Sequence, residues 1–143
     1  MSSYLACQNM LCAIDTTPES ADESIHIIRY AADLASQFGT RLRLVHAVPG
    51  ARPVSSAGEE DPFNRYLLTR AHNGINSLQE RAGTAFEVCI DGGPVSKVVH
   101  DVALHHGGDL ILIGRGKQHD ILGRLRTHAY SIIRDAPCPV LSV

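Results

Sequence analysis

Residues 109–114 read Asp-Leu-Ile-Leu-Ile-Gly. The four central residues form a continuous run of large apolar side chains, with glycines before it at positions 107 and 108 and after it at position 114. A short apolar run without polar alternation is typical of a strand buried on both faces of a parallel sheet. On either side of it, the chain alternates other short apolar runs with segments whose apolar residues recur every three or four positions. This alternation predicts β-α units stacked into a parallel sheet.

The predicted elements follow the order β-α-β-α-β-α-β-α-β. The apolar runs predict five strands, at residues 10–14, 41–48, 86–90, 109–113 and 137–143. The helical patterns predict four helices, at residues 18–38, 63–82, 94–106 and about 122–134, and the one long loop is residues 49–62. Crossovers between parallel strands are almost always right-handed. We therefore expect an open doubly wound five-stranded parallel sheet with helices on both faces.

The ends of the predicted helices carry recognisable signals. Thr17 can cap the first helix in front of Pro18, whose missing N–H suits the first helical position. Gly39, Gly83 and Gly107 follow the first three helices, where a residue of positive φ is favoured. The apolar face of the first helix is expected to consist of Ile25, Ile28, Ala32, Ala35 and Phe38.

Composition narrows the class of protein. The chain has 143 residues, 44% hydrophobic and 20% charged, which predicts one globular domain over residues 1–143. Nothing approaches the roughly 18 apolar residues of a membrane span, and the first residues do not form a secretion signal, so a cytoplasmic location is expected. The four cysteines lack C-x-x-C spacing, which argues against disulfides and zinc. A net charge of -2 disfavours non-specific nucleic-acid binding.

The charges are unevenly placed. Residues 115–134 contain five basic residues and one acidic residue, in an otherwise acidic chain. This asymmetry favours a local anion site, such as a phosphate cradle. Ligands of doubly wound sheets bind beyond the carboxyl ends of the strands, where Asp15 follows the first strand and Gly114-Arg115-Gly116-Lys117 follows the fourth. Taken alone, Asp15 is better interpreted as a turn residue that bonds nearby backbone.

Other motifs point to no enzyme. There is no P-loop, and a G-x-G-x-x-G pattern that starts at Gly114 fails at His119. No nucleophile elbow is present, no residue stands out as a general base, and Cys138 is expected to be a small buried strand residue.

The spacing of His100, His105 and His106 does not gather the three on one helical face, so we predict no metal site. His119 and His128 lie in the basic segment, where their protonated rings could contact phosphate.

Several stretches resemble the universal stress protein family. They are residues 9–20 (an apolar strand ending in Asp15 and a Ser/Thr-rich turn), residues 109–114, Gly93-Pro94 and the final Ala-Pro-Cys-Pro-Val-Leu-Ser-Val. The resemblance covers essentially the whole chain. It implies a Rossmann-like fold of the adenine-nucleotide α-hydrolase type, a regulatory role in stress response, and ATP, ADP or AMP as ligand. It also implies a homodimer through the C-terminal edge strand, from Val140 to Val143. Charge and hydropathy, as stated above, predict no nucleic-acid or membrane partner.

The same resemblance implies the site. Ala13 and Asp15 would flank the adenine, Ala47 would line the base pocket and Ile113 would pack from the fourth strand. The family's phosphate motif is G-x-x-G, nine residues, then G-[S/T]. It falls here on Gly114, Arg115, Gly116, Arg126 and Thr127.

The chain departs from that motif at two places. One residue separates Gly114 from Gly116, and Arg126 replaces the later glycine, before the retained hydroxyl of Thr127. Two alternatives follow. Either the guanidinium of Arg126 binds phosphate, or Arg126 and the shortened loop close the pocket and the chain is a dimeric interaction protein without nucleotide.

Overall fold

The computed structural model describes residues 7–54, 61–114 and 124–143, and of residues 124–128 the backbone alone. Its single sheet is parallel throughout, with the strand order β3-β2-β1-β4-β5. The strands are β1 (Asn9–Ala13), β2 (Arg41–Val48), β3 (Glu87–Gly92), β4 (Leu110–Ile113) and β5 (Val140–Ser142). The five-stranded parallel sheet predicted from the sequence is confirmed.

Helices cover both faces of this sheet. They are α1 (Ala21–Phe38), α2 (Pro62–Ala82), α3 (Val95–His106) and α4 (Arg124–Asp135), and a 3₁₀ turn (Pro18–Ser20) precedes α1. The helices α1 and α2 pack on one face, while α3 and α4 pack on the other. Because the chain extends outward from β1 through β2 to β3 and then returns to β4 beside β1, the strand order reverses between β1 and β4. The doubly wound fold is therefore also confirmed.

The central strands divide their side chains between two hydrophobic clusters. In β1, Met10 and Cys12 face the α1 and α2 cluster, whereas Leu11 faces the α3 cluster. In β4, Ile111 and Leu112 point to opposite clusters, and both are fully buried. A strand covered on both faces gains from apolar residues at every position, which explains the uninterrupted run that begins at Leu110.

Several helix ends differ from the sequence predictions. Thr17 makes no side-chain cap, and its backbone N–H instead donates to Oδ1 of Asp15 at 2.8 Å. The α-helix begins at Ala21, three residues later than predicted, because Pro18–Ser20 form a 3₁₀ turn instead. Phe38 was expected in the core but is 63% exposed at the last position of α1, since periodicity gives a side chain's direction but not how far the covering sheet extends. The three glycines at the ends of α1, α2 and α3 do have positive φ, as predicted.

Four strands also have bounds that differ from the predictions, although no end of β1 or β4 differs by more than one residue. Strand β3 runs two residues further than predicted, because the eight-residue β2 pairs Ala47 with Asp91 and Val48 with Gly92. Strand β5 is shorter than predicted. Cys138 is accordingly half-buried in front of β5, not a buried strand residue.

The described part of the long loop is fixed to the sheet beside β3. The side-chain amide of Asn64 accepts the N–H of Arg52 at 2.6 Å and donates to its carbonyl at 3.1 Å. The N–H of Val54 donates to Oδ1 of Asp91 at 2.7 Å. Residues 55–60 lie outside the described residues.

Candidate functional site

A cavity of about 640 Å³ opens at the carboxyl ends of the strands, where the strand order reverses. Ligands of doubly wound sheets bind at this place, and the volume lies within the range of small-molecule sites. Five predicted site residues line it: Ala13, Asp15, Ala47, Ile113 and Gly114. The structure thus brings together residues from β1, β2 and β4 that the sequence spreads over a hundred positions. Their role as ligand contacts stays a prediction.

The other four predicted site residues cannot be assigned to this cavity. Arg115 and Gly116, with the neighbouring His119, lie outside the described residues. Arg126 and Thr127 lie in the first turn of α4, where the backbone alone is described. The two alternatives for Arg126 therefore both stay open.

Gly114 has a packing role that the sequence did not reveal. A Cβ built at this position would lie 2.4 Å from Cδ1 of Ile27 and 2.9 Å from Oε1 of Glu23, both on α1. The close approach of α1 to the end of β4 thus accounts for a glycine here. This packing role needs no ligand, and the place of Gly114 in the phosphate motif stays a prediction.

The turn after β1 is held by hydrogen bonds at both of its ends. Oδ1 of Asp15 accepts the N–H of Thr17, as expected for a turn residue. The hydroxyl of Ser24, which is 2% exposed, donates to the carbonyl oxygen of Asp15 at 2.7 Å. These bonds tie the turn to α1, and Asp15 lines the cavity from this fixed position.

Sequence reasoning missed His46, which lies near the end of β2 and lines the same cavity. Its Nδ1 lies 2.8 Å from the carbonyl oxygen of Ile14, and its Nε2 lies 3.3 Å from Oγ1 of Thr16. Burial lowers the pKa of His46, although the bond to Ile14 and the charge of Asp15 oppose that change. The imidazole is thus neutral at pH 7. The available signal was a single titratable residue inside the apolar run of β2.

The remaining walls are mainly aliphatic. From the α3 and α4 side they comprise Val95, Val99, Ala129 and Ile132, and from α2 they comprise Leu67, Ala71 and Gly74. Two charged side chains also reach the cavity, Glu23 from α1 and Arg70 from α2. An apolar cavity with a few polar groups at its edge suits a ligand that has a flat apolar body and a polar periphery.

The described residues offer little for metal or thiol chemistry. Within residues 7–54, 61–114 and 124–143, no group of three or more His, Cys, Asp or Glu side chains could hold a metal ion. All four cysteines fall in these ranges and are free thiols. Burial raises the pKa of the Cys12 thiol to about 12, so this group stays protonated. Among the helices of the described chain, none is long and apolar enough to cross a membrane.

Comparison with known proteins agrees with this architecture. Universal stress protein A homolog 1 of Coxiella burnetii is 28% identical over 148 residues, which cover 95% of each chain. A universal stress protein solved in complex with cAMP aligns with a TM-score of 0.61 at 19% identity, over 96% of this chain and 97% of the other. The Archaeoglobus fulgidus universal stress protein in complex with dAMP aligns with a TM-score of 0.58 at 22% identity, over 96% and 98%.

The two solved structures, at these identities, show the fold alone. The assignment to a family rests on the sequence, because the model of the universal stress protein family matches residues 7–143. That match includes every strand and helix described above and all of the cavity lining. The chain belongs to the universal stress protein family.

Proposed function

We propose that this chain is a regulatory module of stress response that binds an adenine nucleotide in the cavity between β1 and β4. The observation that carries the proposal is the convergence of Ala13, Asp15, Ala47, Ile113 and Gly114 on one cavity at the reversal of strand order. Support also comes from the cAMP and dAMP held by the two solved relatives. The ligand class is therefore ATP, ADP, AMP or a cyclic form.

The two ends of the cavity suit the two ends of a nucleotide. The aliphatic walls formed by Val95, Val99 and Ile132 offer apolar surface to a purine ring. Gly114 marks the end at which the basic segment, residues 115–134, begins. Arg134 pairs with Asp135 in the last turn of α4, but the other four basic residues of the segment would attract phosphate to that end. In this proposal the guanidinium of Arg126 is one of the phosphate ligands.

The proposed output is association and not catalysis. Strand β5 lies at one edge of the sheet, beside β4 alone, and its Leu141 is 37% exposed. An edge strand with unpaired backbone groups is suited to pair with the same strand of a second copy about a two-fold axis. We propose a cytoplasmic homodimer that joins at β5. It would respond to bound nucleotide without any enzymatic turnover.

A second function has an observation in its favour. The contact of Gly114 with Ile27 explains this glycine without any ligand, and Arg126 replaces a glycine of the phosphate motif. Both facts are compatible with a dimeric interaction protein in which Arg126 occupies the former pocket. Arg126→Gly separates the two functions, because it weakens nucleotide binding if Arg126 is a phosphate ligand and creates or strengthens binding if Arg126 is an obstruction.

Thermal unfolding of the nucleotide-stripped protein tests the proposal. Ligand at about 100 times its Kd should stabilise the fold by about 2.7 kcal/mol, which raises Tm by several degrees. We expect this shift with ATP, ADP, AMP or cAMP. Absence of a shift with all four would favour the nucleotide-free interaction protein.

Two aspartate variants show whether such a shift in Tm comes from binding in the cavity. Asp15→Asn keeps an oxygen for the N–H of Thr17 but replaces the second carboxylate acceptor with an amide donor. If a donor group of the nucleotide binds Asp15, we expect a smaller shift. The matched control is Asp109→Asn, because Oδ2 of Asp109 accepts the N–H groups of Gln8 and Asn9 at 2.8 and 2.9 Å at the opposite end of the sheet. The control should keep the full shift. Equal shifts in both variants would mean that Asp15 is not at the nucleotide.

A further inference from the structure

We propose that the hydroxyl of Thr16 is a hydrogen-bond acceptor facing the cavity, polarised through His46 by the carbonyl of Ile14, and that it selects 6-aminopurines over 6-oxopurines. The inference rests on the proposed function, because it names the group in that cavity that distinguishes one class of purine from another. It is carried by the direction of two consecutive hydrogen bonds.

The carbonyl oxygen of Ile14 sets this direction. A carbonyl can only accept, so Nδ1 of His46, at 2.8 Å from it, must carry the hydrogen. A neutral imidazole has one N–H, and its Nε2 is therefore an acceptor. The hydroxyl of Thr16, at 3.3 Å from Nε2, then donates its hydrogen to the ring. The oxygen of Thr16 is left with lone pairs and no hydrogen for a ligand.

The three groups are held by the surrounding structure. The backbone N–H of Ile14 donates to the carbonyl of Val45 at 2.9 Å, which fixes the end of β1 against β2. A Cβ built at Gly74 on α2 would lie 3.5 Å from Cβ and Cγ2 of Thr16. The apolar side of Thr16 thus borders α2 while its hydroxyl faces His46. Both Thr16 and His46 line the cavity.

The charged groups that line the cavity with His46 have opposite effects on the protonation of its ring. Asp15 follows β1, Glu23 comes from α1, and Arg70 comes from α2; all three line the same cavity. Burial lowers the pKa of His46 and outweighs the effect of Asp15, which favours the imidazolium. At pH 7 the neutral ring therefore sets the direction. In acid the protonated Nε2–H would donate to Thr16, whose hydroxyl hydrogen would then turn towards the cavity as a donor.

This polarity distinguishes purines by the group at carbon 6. An adenine N6–H can donate to the oxygen of Thr16, whereas the O6 of hypoxanthine or guanine would bring two acceptors together without a hydrogen between them. Leaving a buried polar group unpaired has a large effect on affinity, and we expect about a tenfold preference for ATP over ITP at pH 7.5. ITP is the appropriate comparison because it differs from ATP only in the 6-oxo group and in the hydrogen that N1 then carries, and Thr16→Val shows whether Thr16 is the group that responds to this difference.

The test measures the affinities of ATP and ITP by calorimetric titration of the stripped full-length protein. Thr16→Val keeps the branched shape and removes the hydroxyl, and we expect its ATP to ITP preference to fall to about one. Thr16→Ser keeps the hydroxyl and should retain the preference. In the wild type the preference should shrink at a pH low enough to protonate His46, and in Thr16→Val it should not change. Thermal unfolding without ligand checks that each variant is folded.

The possible outcomes separate this inference from the proposed function. If ATP binds and ITP binds equally well to the wild type, the selection by Thr16 is wrong while adenine nucleotide binding stands. If Thr16→Val keeps the wild-type preference, another group makes the selection and the inference is equally overturned. If neither nucleotide binds, the proposed function fails and the inference fails with it.

Discussion

Nδ1 of His46 lies 2.8 Å from the carbonyl oxygen of Ile14, so that a side chain from β2 is bonded to the backbone directly beyond β1. The same ring reaches Thr16, the second residue of the turn that leads to α1. His46 therefore links the end of one central strand to the turn that forms one wall of the cavity. This link gives the residue a structural role besides the role in ligand selection proposed above.

Replacement of His46 should destabilise the fold. His46→Phe keeps a ring of similar size but leaves the carbonyl of Ile14 without its donor. We expect the free energy of unfolding in urea to fall by about 1–3 kcal/mol. The matched control is His72→Phe at an exposed position of α2, which should change stability by less than about 0.5 kcal/mol. Equal effects of the two substitutions would contradict the structural role of His46.

Stability should decline in mild acid. In the folded chain the pKa of His46 is lowered by burial, and that of His106 is lowered by burial and by Arg43. In the unfolded chain, imidazoles titrate near about 6.5. Below neutral pH the unfolded state thus binds more protons than the folded state, and the free energy of unfolding falls as the pH drops. Urea unfolding between pH 7.5 and pH 5 should show this fall.

His46→Phe should lack the part of this decrease that is due to His46. Between pH 7.5 and pH 5 the free energy of unfolding of this variant should therefore depend less on pH than that of the wild type. Asp61 and Asp101 do not interfere, because hydrogen bonds lower the pKa of each carboxyl. Their contribution is present above the unfolded pKa of about 3.9 and is lost only below that range. A wild-type stability that rises between pH 7.5 and pH 5 would contradict the neutral, buried imidazole.

Alanine variants at three glycines should lose different amounts of stability. At Gly92 a new Cβ would lie 2.3 Å from the backbone oxygen of Arg52, which cannot rotate away, and we expect a loss above about 3 kcal/mol. At Gly114 the obstacle is the movable end of Ile27, and we expect a loss of about 1 kcal/mol. Gly50→Ala meets nothing within 4 Å and serves as the control. Urea unfolding measures all three.

The contact between Gly114 and Ile27 can be tested on its own. Ile27→Val removes the Cδ1 that a new Cβ would meet, so Gly114→Ala should be less harmful in that background than in the wild type. Strict additivity of the two substitutions would show that the methyl group is not the obstacle.

The proposed dimer predicts an effect of charge at β5. Leu141→Lys places a cation on the edge strand and should give a monomer, because lysine on an edge disfavours strand pairing. Leu104→Lys, at a position 60% exposed on α3, is the matched control and should stay dimeric. Sedimentation velocity at micromolar concentration distinguishes the two states. A wild-type monomer, or a dimer that survives Leu141→Lys, would contradict pairing through β5.

The sheet could be predicted because its signals are local. The uninterrupted run at Leu110–Ile113 reflects burial on both faces, and the positive φ of Gly39, Gly83 and Gly107 follows from the way helices end. Strand ends were less accurate because they depend on partners. Strand β3 continues to Gly92 only because β2 offers Val48 as its neighbour.

The site was harder to predict for the same physical reason. Asp15, Ala47 and Ile113 could be placed at strand ends, where the fold makes them converge. His46 carries no local signal for its bonds, because Thr16 lies thirty residues away and on another element. The packing role of Gly114 depends on the distance between α1 and β4, which side-chain periodicity does not encode.

The central claim is that the cavity between β1 and β4 binds an adenine nucleotide, and calorimetric titration of ATP into the stripped protein tests it most directly. The account predicts saturable binding of about one nucleotide per chain, and loss of that binding in a folded Ala13→Leu variant, whose larger side chain would occupy the cavity. No heat of binding in the wild type, or undiminished binding in Ala13→Leu, would contradict it.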